Sequence, residues 1–253
     1  MKAALFEQVL ADRSARRPVA VVTRLADGAQ VLVHEDGSPD GSGAADAAVA
    51  PPLVLTAEQI AETRQRLRGD RSGVLVSSAE ALFARCHSQP PRMVLVGAVH
   101  IAQALAPMAA MAGFEVIVID PRRAFATSER LPGVSILTDW PDVALAKIGL
   151  DGQVAVLTLS HDPKLDDPAL IAALRSNAFY IGALGSTRTH AKRVERLTAA
   201  GLSDTISRIH APVGLDLGGR SPVEIAVAIL AQVIQARYLP GSSGGSGART
   251  RLG

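Results

Sequence analysis

The chain has 253 residues, 48% of them hydrophobic and 20% charged. This is ordinary globular composition, with apolar material for a real core and room for one large domain or a small one beside a medium one. Aromatics at 3% and a formal net charge of +2 exclude the stacking platforms and basic stripe of a nucleic-acid binder, and a single cysteine, Cys86, excludes an internal disulfide framework and a cysteine-built zinc site. Glu7 and Asp12 fall inside what would be the apolar part of a signal peptide. The longest apolar stretch, 223–234, holds Glu224 and is too short to cross a bilayer. A soluble cytoplasmic protein with no membrane partner is expected.

Residues 1–15 predict a short amphipathic helix with Leu5, Val9 and Leu10 on one side. Strands follow over 19–25 and 30–36, joined at Asp27-Gly28, a hairpin signal. Residues 37–52 are rich in Gly, Ser, Pro and Ala and read as a flexible segment. A helix over 57–69 starts after Thr56, ends at Gly69 and puts Ile60, Thr63 and Leu67 on one face. A strand is expected over 73–78. Residues 79–91 end in Gln89-Pro90-Pro91, a boundary signal, and Cys86 is expected on a surface or linker segment between Arg85 and His87. Such neighbours can activate a thiol, although a lone cysteine is more often a small buried apolar residue.

From Arg92 the rhythm changes. Apolar runs at 92–97, 114–120, 134–138, 153–160 and 178–185 alternate with helical patterns at 100–112, 141–148, 163–175 and 186–200. Ile101, Leu105, Met108 and Ala112 share a face of the first of these helices. A last helix, 221–238, opens with a capping box: Ser221 as N-cap, Pro222 next, Glu224 three residues on. It is apolar on nearly all sides between Ile225 and Leu230, so it is expected to be buried or to form an interface between copies, as in a homodimer. Fully apolar strands separated by helices predict a parallel sheet covered on both faces. The fold class is therefore α/β: a doubly wound, mostly parallel, Rossmann-like sheet over 91–239, a small N-terminal α/β domain over 1–90, and a disordered tail over 240–253.

Chemistry is expected where such strands end. Gly97 closes the first strand, a helix opens at His100, and Asp120 stands 23 residues after Gly97, the layout of a dinucleotide fold. Val99, however, occupies the position where a second glycine lets the backbone approach a pyrophosphate, so tight NAD(P) binding is not expected. An anionic ligand near this turn remains favoured by the helix start. Asp120 can hold ribose hydroxyls and Arg122 a phosphate; an equal alternative has Pro121 ending the strand and the arginines solvated. Asp162-Pro163 reads as a structural N-cap pair. His161 before it lies at the ligand edge of the sheet, where imidazole can donate, ligate or move a proton, but alone it lacks the ligand count of a metal site. Gly182 and Gly185 flank the end of the fifth strand, and Ser186 opens a helix carrying Arg188, His190, Lys192 and Arg193. Glycine-lined backbone, a helix start and a guanidinium clamp suit an anion; the alternative is a solvated basic face. The glycine-rich loop over 209–226 is a weaker anion signal or a simple connector.

Four separated segments then carry a family resemblance: VGAVHIAQALAPMAAMAGFEVIVIDPR, LTLSHDPKLDDPALIAAL, GALGSTRTHAKRVERLTAAGL and RIHAPVGLDLGGRSPVEIAVAILAQVI. Their type and order resemble the C-terminal Rossmann-like domain of the XdhC/CoxI family over roughly 92–238. The resemblance implies an accessory protein, more a chaperone than an enzyme, that binds the molybdenum cofactor (molybdopterin or its dinucleotide form). It also implies a role in sulfurating the cofactor or inserting it into an apo molybdenum hydroxylase of the xanthine dehydrogenase or carbon monoxide dehydrogenase type. The residues around which such a ligand would bind are Gly97, His100, Asp120, Arg122, His161, Gly182, Gly185, Ser186 and Arg188, with no catalytic residue and no metal ligand assigned. An NAD(P)-dependent oxidoreductase is the competing expectation. Two departures stand out. The first 90 residues lack the family's glycine-glycine-cysteine segment, so no cysteine-based step is expected. The first turn reads Gly97-Ala98-Val99-His100 where the family usually has glycine-alanine-glycine-histidine.

Overall fold

The structure, a computed structural model, describes residues 3–35 and 53–239. The flexible segment expected over 37–52 and the disordered tail expected over 240–253 lie outside the described residues. Two compact units succeed one another, with the division between Gln89 and Pro90.

The first unit contains α1 (Ala3–Ser14), β1 (Val19–Arg24), β2 (Gln30–His34), α2 (Ala57–Arg68), β3 (Gly73–Val74) and β4 (Leu82–His87). Its four strands form an antiparallel sheet in the order β2-β1-β4-β3. Gly28 turns the predicted hairpin at φ +75°, the left-handed region that glycine enters without steric cost. Period-two alternation sends Val19, Val21 and Leu32 to a cluster with Leu5 and Val9 of α1. Ala20 and Val22 point the other way, into clusters with Leu67 and Ile60 of α2.

Three expectations here need correction. Leu10 is exposed; the buried face of α1 continues instead to Asp12, fully buried against His34 Nε2 at 2.9 Å and Arg17 at 2.6 Å. The strand expected over 73–78 stops at Val74 because the Glu62 carboxylate takes the backbone N–H groups of Val76 (3.0 Å) and Ser77 (2.8 Å), which turns the chain out of the ladder. Cys86 is on neither a surface nor a linker. It lies in β4, an interior strand of the sheet, with Leu82 and Ala84 on the same buried side. Burial pushes its thiol up to about 11, so it is not activated.

The second unit contains β5 (Arg92–Val96), α3 (His100–Met111), β6 (Glu115–Ile119), β7 (Ser135–Leu137), α4 (Pro141–Ile148), β8 (Val154–Thr158), α5 (Pro163–Leu174), β9 (Tyr180–Ala183), α6 (Thr187–Ala199), β10 (Ile209–His210) and α7 (Pro222–Tyr238). Its six strands form one parallel sheet in the order β10-β9-β8-β5-β6-β7. β5 and β8 are buried at every position. Met93, Leu95, Val118 and Leu157 face α3 and α7, while Val94, Val96, Ile119 and Val156 face α4, α5 and α6. Both faces are therefore covered, as continuous apolar strands require.

The chain runs outward from β5 through β6 to β7, then returns to place β8 against the other side of β5. This reversal between β5 and β8 is a topological switch point, where open α/β sheets leave a crevice at the strands' carboxyl ends. β10 is a sixth strand within the loop expected over 209–226; at two residues it is too short to show a period. The face of α3 is built on Ala102, Leu105, Ala106 and Ala109, with Ile101 and Met108 flanking. These small residues let α7 pack closely, and α7 buries Ala226, Ile229 and Val233 there. Its capping box forms as predicted, Glu224 receiving the Ser221 N–H at 2.9 Å. Among the described residues no helix is long and apolar enough to cross a membrane.

Candidate functional site at the carboxyl edge of the parallel sheet

The loops after β5 and β8 meet at the switch point. Gly97 leaves β5 at φ +107°, and a Cβ there would stand 3.0 Å from the Ser160 side chain. Only glycine lets the two turns close together. Val99 is the N-cap of α3 and makes no side-chain cap. Its side chain packs partly onto the core between the sheet, α3 and α7. His100, the first helical residue, is exposed. The positive end of the α3 dipole thus opens on the carboxyl edge with no capping side chain.

Asp120 follows β6 and is fully buried. Its Oδ2 accepts from the Ala98 N–H at 2.8 Å and Arg122 Nη2 at 2.8 Å; its Oδ1 accepts from the Arg122 N–H at 3.0 Å and Nε at 2.9 Å. Burial alone would push this carboxyl up, but the Arg122 and backbone hydrogen bonds outweigh it and hold it below the usual range. Both oxygens are committed to the first turn and to Arg122. Arg122 is partly exposed and lies 4.8 Å from the ring of Phe125, whose other neighbour is Arg130 at 5.3 Å.

The loop after β8 carries backbone strain. His161 has φ +62°, a region costly for a non-glycine residue. Asp162 caps α5 by accepting from the Lys164 N–H at 3.0 Å. Ser160 Oγ donates to Asp166 Oδ1 at 2.7 Å and accepts from the Asp162 N–H at 3.1 Å. Asp166 is almost wholly buried, and burial raises its carboxyl despite Ser160 and the charge of Arg193.

After β9, Gly185 turns at φ +136°, and Ser186 caps α6 by accepting from the Thr189 N–H at 3.2 Å. Gly182 lies inside β9, where a Cβ would stand 2.6 Å from Val213 and 2.8 Å from the Tyr180 ring; its position is set by packing. His161 and Arg188 line one groove of ≈ 260 Å³ with Asp166, Lys192, Arg193 and Arg196. Arg196 is held by Asp167. Asp120 chiefly, with smaller contributions from the charges of Asp162 and Asp166, raises the Arg122 guanidinium above its usual range.

Asp166 was absent from the sequence-derived site, and the burial of Arg193, there one of four basic residues on its helix, was not foreseen. A signal for both existed: Arg193 falls four residues before Leu197 on the buried stripe of α6, and Asp166 four before Leu170 on that of α5. A charge in phase with an apolar stripe is buried by the helix that carries it.

The Rossmann-domain model of the XdhC family matches residues 93–233. The molybdenum cofactor insertion chaperone PaoD of Escherichia coli is 32% identical over 168 residues, covering 66% of this chain and 45% of that protein. A Bacillus subtilis protein described as a probable subunit of xanthine dehydrogenase is 35% identical over 157 residues, covering 62% and 46%. The uncharacterized protein YqeB of Escherichia coli is 29% identical over 218 residues, covering 83% and 40%. The chain thus spans less than half the length of these curated relatives. A solved structure described as a xanthine dehydrogenase from Bacillus halodurans shares the fold, with a TM-score of 0.64 at 22% identity over 92% of this chain and 66% of that one.

Proposed function

The chain belongs to the XdhC family through its Rossmann domain, and from that premise we propose that it binds the molybdenum cofactor and delivers it to an apo molybdenum hydroxylase. The observation that carries the reading is the basic groove in which His161 and Arg188 stand beside a buried arginine at the carboxyl edge of the sheet. A pterin bearing a phosphate or a nucleotide needs an anion-binding edge with close backbone access. The uncapped start of α3, the Gly97 turn and the Gly185-Ser186 opening of α6 fit that need. The names of PaoD and of the Bacillus subtilis relative point the same way.

Within this reading Arg188 and His161 hold the phosphoryl end of the ligand, and the α3 start at His100 adds its dipole. Asp120 acts as a positioning residue that fixes Arg122 and the first turn. Gly182 lets Val213 and Tyr180 pack under the site. The cofactor, when bound, supplies the metal and dithiolene chemistry that the client hydroxylase uses. This chain's residues bind, orient and release it, catalysing no turnover of the client's substrate, and the place of action is the cytoplasm. The test is purification from a host that makes the cofactor, followed by quantification of oxidised pterin. Near-stoichiometric pterin is expected; a pterin-free protein that also fails to take up added cofactor sinks the reading.

The strand order and the acid after β6 also favour a second reading, an NAD(P)-dependent oxidoreductase. It is the weaker one, because Asp120 spends both oxygens inside the protein and fold alone does not select a function.

A further inference from the structure

The fold buries the Arg193 guanidinium without completing its hydrogen bonds. The side chain is 2% exposed. Nη2 donates to the Leu184 carbonyl at 2.8 Å and lies 3.8 Å from Asp166 Oδ2, too far for a hydrogen bond. Nε and Nη1 have no partner, which makes Arg193 the only described side chain with two orphaned buried donors. Asp166 does not make up the deficit, since its Oδ1 already takes the Ser160 hydroxyl. Native folds seldom leave a buried cationic donor unpaired, because both desolvation and the missing bonds are costly.

What lies beside it is the groove, with Arg188 and Lys192 on its rim. Neither rim cation has an ion-pair partner among the described residues. Arg196, the other arginine there, is already bound by Asp167 through two hydrogen bonds. An inner guanidinium with two spare donors and two outer cations match a ligand with several negative oxygens on one centre, which a phosphoryl group is and a single carboxylate is not.

We infer that this groove is the seat of a phosphate ester, with Arg193 as the inner donor and Arg188 and Lys192 as the outer clamp. The inference rests on the carrier reading for the identity of the ester, the phosphoryl end of the pterin ligand. The recess itself is a property of α5, α6 and the loop after β8. Arg193, hidden within α6, is thereby the residue that separates a built site from a merely basic helix face.

The test uses the full chain at fixed ionic strength, titrated calorimetrically with inorganic pyrophosphate, inorganic phosphate and phenyl phosphate. The arginine Nε–H resonances are followed in parallel. Pyrophosphate and phenyl phosphate are expected to bind and to move the Arg193 signal. Arg193→Lys keeps a donor for Leu184 and is expected to weaken both by about tenfold or more, while Arg175→Ala, remote from the groove, leaves them unchanged. Unaltered binding in a folded Arg193→Lys protein overturns the inference. So does an Arg193 resonance that stays still at saturation, a readout that needs no variant. Binding of inorganic phosphate with rejection of phenyl phosphate overturns the assignment to an ester. Pterin retained at the unmodified level with no pyrophosphate binding overturns this inference and leaves the carrier reading standing. Pyrophosphate binding through Arg193 on a protein that never carries pterin supports the groove and removes the carrier reading.

Discussion

Two cations on one helix illustrate how position decides what a charge does. Arg188 sits in the first turn of α6, close to the helix N-terminus, and Lys192 one turn further on. A guanidinium can take two phosphate oxygens at once, whereas an ammonium acts as a hydrated point charge. Arg188→Ala is therefore expected to lower pterin retention by about tenfold, and Lys192→Ala by less, both read as pterin per protein after gel filtration. Glu62, in the first unit, shows the same logic in a structural role. Burial would raise its carboxyl, but the N–H groups of Ser77 and Val76 and the Arg66 guanidinium outweigh it and bring it down to about 2, from 4.5. A carboxyl depressed in the folded state contributes stability that is complete above its unfolded value and fades as pH falls through the folded one. Glu62→Gln is expected to melt below the unmodified protein at pH 7. The gap should narrow between about pH 4.5 and about pH 2, as thermal unfolding at several pH values would show. A gap independent of pH would assign its effect to shape alone.

Whole elements explain both what could be read in the sequence and what could not. The strands of the second unit were legible because β5, β6 and β8 are continuous apolar runs, and α7 because Ser221 and Glu224 spell out its cap. β4 was hidden because Arg85 and His87 obscure an alternation carried only by Leu82, Ala84 and Cys86. β10 has two residues and no periodicity to read. At the site, the turns after β5, β6, β8 and β9 were visible from their glycines and strand ends. That Arg193 and Asp166 meet was not, since their approach depends on α5 and α6 packing side by side. The turn of Gly97-Ala98-Val99-His100 ties sequence to element most directly. Its first glycine meets Ser160, but a valine stands where a dinucleotide fold presents bare backbone. NAD(P) binding by the unmodified protein is expected to be weak, and Val99→Gly to strengthen it if the rest of the edge accepts a pyrophosphate. Micromolar or tighter NAD(P) binding in calorimetry without that change would promote the oxidoreductase reading.

At the scale of the whole molecule, the parallel sheet brings the turns after β5, β6, β8 and β9 from separate parts of the chain to one edge, and there Arg188, Lys192 and Arg193 line the groove. A four-stranded antiparallel unit precedes it in sequence, with its cysteine buried and unactivated. This leaves the carrier reading to rest on binding and release. Its most direct test is reconstitution: a cofactor-free molybdenum hydroxylase is incubated with limiting cofactor, with and without this protein, and client turnover is measured. The account predicts that the unmodified protein raises the activity recovered, that Arg188→Ala raises it less, and that the protein alone turns over none of the client's substrate. Equal recovery with and without the protein, across clients of the xanthine dehydrogenase and carbon monoxide dehydrogenase types, would contradict it.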